Sequence, residues 1–194
     1  MYKRQGVIVA AANSHFDLTS GLTGFVFNVL LIVRAPLQLF QAVQTSILPH
    51  LTGMEVRESV EEFRRTVRRT MSITFGFGVA VAVGLLAVGP LVMNAAVGDH
   101  GFTYERFGLA IVGLGMGLHL TAGTLNQALL ARGRASLSAP AWLTAAAGFV
   151  LFVAFPTIHN EVTRTEVGYC AATALLTLLL WILYRATSPR QAAP

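Results

Sequence analysis

Charge is the first thing this chain has little of. Only 12% of its 194 residues are Asp, Glu, Lys or Arg, against about 25% in an ordinary soluble domain. There are two aspartates, Asp17 and Asp99. With no cluster of carboxylates inside an apolar run, Mg²⁺-assisted transfer to a diphospholipid has no ligand set. The one cysteine, Cys170, lies within an apolar run, so a disulfide within the chain and a Cys-based metal site are both excluded. That residue reads as lipid-facing or packing. No HExxH, CxxC, Walker loop or GxSxG elbow occurs, which removes the commonest metal, redox, nucleotide and serine-hydrolase chemistries. The expectation is a protein that is not an enzyme and holds no metal or cofactor.

Apolar residues are what is abundant: 54% of the chain, with a mean hydropathy of +0.62. They gather in five runs, at 20–51, 71–97, 107–131, 137–155 and 167–184. Each is about as long as the ~20 residues a helix needs to cross a hydrocarbon core. The fold class expected is all-α: a polytopic transmembrane bundle of about five complete spans plus the end of a sixth. Residues 6–187 form the bundle and 188–194 a cytoplasmic tail. Positive charge alternates along it. The segments after runs one, three and five hold nine of the fourteen basic residues: Arg57, Arg64, Arg65, Arg68, Arg69, Arg132, Arg134, Arg185 and Arg190. The opposite segments hold only Arg106 and Arg164. Positive charge marks the cytoplasmic face, so the chain is placed as a multi-pass protein of the cell (cytoplasmic) membrane with its C-terminus inside. The pI of 10.1 therefore reflects anchors against an anionic inner leaflet, and nucleic acid is excluded as a partner.

The start of the chain admits two readings. Met1 to Gln5 precede a seven-residue apolar stretch, Gly6–Ala12, and a polar segment, Asn13–Ser20. That order loosely fits a signal peptide, but without a clear cleavage site. Alternatively, Val7–Ala12 is the tail of another spanning helix, the chain is a fragment, and residues 1–5 are a non-native start.

The first run carries the most chemistry. Its roughly 32 residues make a helix of ~48 Å, longer than a ~30 Å core, and Pro36 predicts a hinge within it. Arg34, Gln38, Gln41 and Thr45 fall within an arc of about 60° on that helix, flanked by Gln44. An arginine at that depth costs at least ~2.5 kcal/mol and faces a polar cavity or a partner. The bland alternative is that Arg34 caps carbonyls freed by Pro36 or pairs with a buried acid. No acid of this chain stands at that depth, because every carboxylate is read as lying in or beside a loop. Ser59-x-x-Glu62 is a capping box opening a short helix near 59–70. Val56, Val60, Phe63 and Val67 line one side of it and Arg64, Arg65, Arg68 and Arg69 the other, as in a basic helix lying on the inner membrane surface. In the third run, His119 and Asn126 share a face with Gly108, Gly115 and Ala122, with Gln127 at its edge. They line a cavity or hydrogen-bond between helices. Gly113 and Gly117, four apart, permit close helix approach. Trp142, Trp181 and Tyr184 stand near the inner interface and Tyr169 near the outer.

Three stretches resemble one family. They are Arg34-Ala35-Pro36-Leu37 with Phe40-Gln41-Ala42-Val43-Gln44 and Leu48-Pro49-His50-Leu51-Thr52; Glu62-Phe63-Arg64-Arg65; and Gln127-Ala128-Leu129-Leu130-Ala131-Arg132-Gly133-Arg134. Their order over about residues 6–185 is similar to the C-terminal lobe of polysaccharide-biosynthesis flippases of the multidrug/oligosaccharidyl-lipid/polysaccharide (MOP) exporter superfamily. The resemblance implies half of a two-lobed, alternating-access fold. It implies a lipid-linked glycan as substrate and a missing N-terminal lobe or partner subunit. It also implies that Arg34 lines the cavity to meet the diphosphate, with Gln38, Gln41, Gln44 and Asn126 on sugar hydroxyls. Thr45 and His119 complete the candidate substrate-binding set. Half a cavity cannot alternate access alone. Two alternatives stay open: a multidrug/cation antiporter of the same superfamily, which needs an intramembrane acid, and a small non-transporting membrane subunit.

Overall fold

A computed structural model describes residues 60–97, 105–155 and 158–187, and these residues are all-helical. Four helices follow one another: α1 (Val60–Val97), α2 (Arg106–Ala131), α3 (Ala135–Ala154) and α4 (Glu161–Ala186). All four are long and apolar enough to cross a membrane. They take up four of the five expected spans. The first expected span and the stretch before it, with Arg34, Pro36, Gln38, Gln41, Gln44 and Thr45, lie outside the described residues.

The helix ends follow from local chemistry. Asn160 caps α4, its Oδ1 accepting from the Val162 and Thr163 amides at 3.0 and 3.3 Å. Glu161 in the first turn and Arg185 in the last complement the helix dipole. At the end of α2, Gly133 takes φ +66°. The Gly133 amide donates to Leu130 O and the Arg134 amide to Leu129 O, both at 2.9 Å. This is the Schellman arrangement, which glycine adopts without steric cost. The turn is so short that α3 must run back beside α2. Helix α3 starts at Ala135, two residues earlier than the apolar run suggests, and Pro140 sits in its second turn.

Helix α1 differs from the expected pair of a short surface helix and a separate span. It is one uninterrupted helix of 38 residues, about 57 Å long. No glycine or proline stands between Val60 and Phe75 to break it. The apolar side of its basic stretch does not rest on lipid. Phe63 and Val67 are fully buried in a core with Leu125, Leu129, Leu176, Leu180 and Tyr184. Ser59, the expected cap, lies outside the described residues.

Helix α2 is the centre of the bundle. It packs against α1 on one side and α4 on another, while α3 leans mainly on α4. Of its apolar window 67% is buried, against 17% in α1, 17% in α3 and 28% in α4. Small residues set the α1–α2 distance. Gly117 lies directly on Gly78, and a β-carbon added at Gly117 would come within 2.6 Å of the Gly78 Cα. Gly113 meets Ala82 one turn along, so the close approach expected from Gly113 and Gly117 is present. The Thr74 and Thr121 hydroxyls meet at 3.4 Å across the same seam. Helix α4 runs parallel to α2: Thr177 Oγ1 donates to Leu118 O at 2.9 Å, and Gly115 faces Tyr169 and Cys170. Cys170 is thus a half-buried packing residue, and Tyr169 packs within the bundle.

Outward lie Ile73, Val83 and Leu91 of α1, Leu143 and Val150 of α3, and Leu178 and Ile182 of α4, all more than half exposed. Such a surface suits apolar surroundings such as the hydrocarbon core of a membrane. Because neighbours in sequence are antiparallel, the alternation of charge becomes a polarity of the bundle. Arg64, Arg65, Arg68, Arg69, Arg132, Arg134 and Arg185 gather at one end, and Glu105, Arg106, Glu161, Arg164 and Glu166 at the other.

Candidate functional site

Two of the expected site residues, His119 and Asn126, are among the described residues, and the structure joins them through one side chain of α3. Trp142 donates its indole N–H to Asn126 Oδ1 at 3.3 Å. The His119 ring stands edge-on to the same indole, centroids 5.5 Å apart at 78°. His119 and Asn126 are two turns apart on one face of α2 and half-buried, His119 midway along the helix and Asn126 within two turns of its basic end. Beside them the Gln127 Oε1 is buried with no hydrogen-bond partner among the described residues. A polar atom left in that state is costly unless something else meets it. Trp142, read from the sequence as an interface anchor, is the eighth residue of α3 and also bridges two helices.

A second polar assembly closes the basic end. The Arg132 guanidinium lies between two rings, 4.7 Å from the centroid of Phe63 on α1 and 4.5 Å from that of Tyr184 on α4. Its Nη1 donates to Tyr184 O at 3.4 Å, among the last carbonyls of α4, where a cation is favoured by the helix dipole. A planar guanidinium can stack on both sides at once, as an ammonium cannot. Arg132 therefore ties α1, α2 and α4 together. Beside this clamp a cleft of about 310 Å³ opens between α1 and α4, lined by Arg64, Val67, Arg68, Trp181, Tyr184 and Arg185. Arg185 lies over the Trp181 ring at 4.5 Å, and Trp181 stacks on Tyr184 with centroids 6.1 Å apart.

At the opposite end the structure corrects one expectation. Glu166 is not beside a loop but is the sixth residue of α4, 8% exposed. Its carboxyl group fills the space that Gly108 of α2 leaves, and a β-carbon at Gly108 would lie 2.6 Å from the Glu166 Cδ. Reading the last span from residue 167 placed Glu166 just outside it. The signal that would have found it is Asn160-Glu161, a helix start one and a half turns earlier. Among the described residues no group of three or more His, Cys, Asp or Glu is placed to hold a metal ion.

No protein-family model matches the chain, no curated protein matches it, and neither does any solved structure.

Proposed function

We propose that this chain is one lobe of an alternating-access transporter that flips lipid-linked oligosaccharide across the cytoplasmic membrane for cell-surface polysaccharide biosynthesis. The observation that carries the reading is His119, midway along the most covered helix of an apolar bundle, sharing a face with Asn126 two turns nearer the basic end, where the buried Gln127 oxygen stands beside it. Polar side chains at that depth serve a substrate or ion path by default. The Arg34, Gln38, Gln41, Gln44 and Thr45 stripe of the first apolar run would supply the cationic side of the same cavity, with Pro36 as its hinge. The basic end of the bundle would face the cytoplasm. A second lobe, or a partner subunit, would complete the cavity.

Glu166 favours a second reading, the cation-coupled antiporter, because a buried acid inside a spanning helix is the group such coupling needs. One comparison separates the two. In the full protein in native membranes, Arg34→Ala should abolish export of lipid-linked glycan while Glu166→Gln leaves it standing. Unchanged export with Arg34→Ala removes the flippase reading. Loss of ion-driven drug extrusion with Glu166→Gln, and no effect on glycan, establishes the antiporter.

A further inference from the structure

The cleft between α1 and α4 plays no part in the transport path just described, and its composition changes in an ordered way along the bundle. On α1, Arg64, Arg68, Met71 and Phe75 succeed one another at helical spacing on one face. On α4 the matching face runs Arg185, Ile182, Leu178. Both stripes begin with guanidinium groups at the basic end and turn apolar within about one to two turns. Phe75 is 42% exposed, Ile182 53% and Leu178 54%, so these apolar stretches face the surrounding hydrocarbon. At the junction stands Trp181, half-buried, with the Arg185 guanidinium over its face. An indole at that depth marks the boundary between headgroups and acyl chains. Glu61 shares the face of Arg64 one turn earlier.

The geometry points to a binding site for one anionic phospholipid of the leaflet at the basic end. Its phosphate sits among Arg64, Arg68 and Arg185, its glycerol region lies against Trp181, and its acyl chains descend along Phe75 on one side and Ile182 and Leu178 on the other. Guanidinium groups meet phosphate oxygens through paired, charge-assisted hydrogen bonds. A soluble phosphate would use the cations but not the apolar stripes below them. The volume of about 310 Å³ suits a headgroup with the chains outside. The Arg132 clamp braces the cleft, since its guanidinium stacks on Tyr184 of α4 and on Phe63 of α1.

The test uses the full chain in phosphatidylcholine vesicles with Trp142→Phe, which leaves Trp181 as the sole tryptophan. Phosphatidylglycerol brominated high on its acyl chains is titrated against equally brominated phosphatidylcholine, and quenching of Trp181 is read. The anionic lipid should bind more tightly by on the order of tenfold, saturating at one lipid per chain. A triple variant, Arg64→Gln with Arg68→Gln and Arg185→Gln, should lose the preference. A control that removes equal charge from the same end, Arg65→Gln with Arg69→Gln and Arg134→Gln, should keep most of it. Equal loss in both variants, or no loss in the first, overturns the site in favour of diffuse surface charge. A preference that never saturates in the chain carrying only Trp142→Phe overturns it without recourse to the arginine variants. Full reversal by millimolar inorganic phosphate overturns the lipid assignment in favour of a free phosphate ligand.

Discussion

At the scale of single residues, small side chains do more than large ones to set this bundle. Gly117 and Gly76 illustrate the difference. A β-carbon at Gly117 would press on the backbone of Gly78, whereas one at Gly76 would meet nothing within 4 Å. Gly117→Ala should therefore destabilise the α1–α2 pair by about 1–3 kcal/mol, read as a fall in the thermal midpoint in detergent. Gly76→Ala should leave the midpoint unchanged or raise it slightly, because alanine is the better helix former. Equal midpoints for the two variants would mean that the helices are not in contact through Gly117. The glycine spacing was visible in the sequence, but its partner was not. Nothing local distinguishes Gly78, which seats Gly117, from Gly76 two positions earlier. Arg132 was legible only as a positive anchor, since stacking between Phe63 and Tyr184 depends on residues 69 and 52 positions away. Trp142 has the same history: its apolar body and polar tip suit an interface, and its role was decided by Asn126 on the facing helix.

At the scale of elements, hydrophobic runs located α2, α3 and α4 to within a few residues, because length and apolarity are local properties. What they could not place were ends extended by polar residues, as at Glu161–Glu166. They also missed the union of the basic stretch with the span after it. The 3.6-residue period of Val60, Phe63 and Val67 was read as one side of a lipid-surface helix, and the period is there. Periodicity says that a face is apolar but not what covers it, and here α2 and α4 cover Phe63 and Val67. The continuity of α1 has a measurable result. Its roughly 57 Å exceed a ~30 Å hydrocarbon core, so its arginine-bearing first turns are expected beyond the acyl chains. A cysteine placed at Arg65 should react with a membrane-impermeant maleimide, whereas one at Val83 should stay protected, both in a Cys170→Ser background. Protection at both positions would lay the basic turns within lipid after all.

At the scale of the whole molecule, charge asymmetry was the most legible property, because it is a sum over many residues and survives errors in each helix boundary. Seven arginines at one end of the described bundle face two at the other. The side on which each end lies is testable with reporter fusions. A fluorescent protein joined after Ala186 should fold and fluoresce in the cytoplasm. Alkaline phosphatase inserted at His159 should be active outside. Activity of the phosphatase joined after Ala186 would invert the topology. The candidate site was legible in part. His119 and Asn126 were found as a pair on one face, while Glu166 and the arginine–aromatic cleft emerged only when separate helices were brought side by side.

Helix α2 is the least apolar of the four and the most covered. During synthesis it emerges after α1, which receives the Gly113 and Gly117 side, but before α4, which receives the Gly115 and Leu118 side. Among the described residues, the helix that covers that flank is the last to be made. The face of small residues and bare backbone that α2 turns towards α4 is thus closed only when the last helix of the bundle has been made.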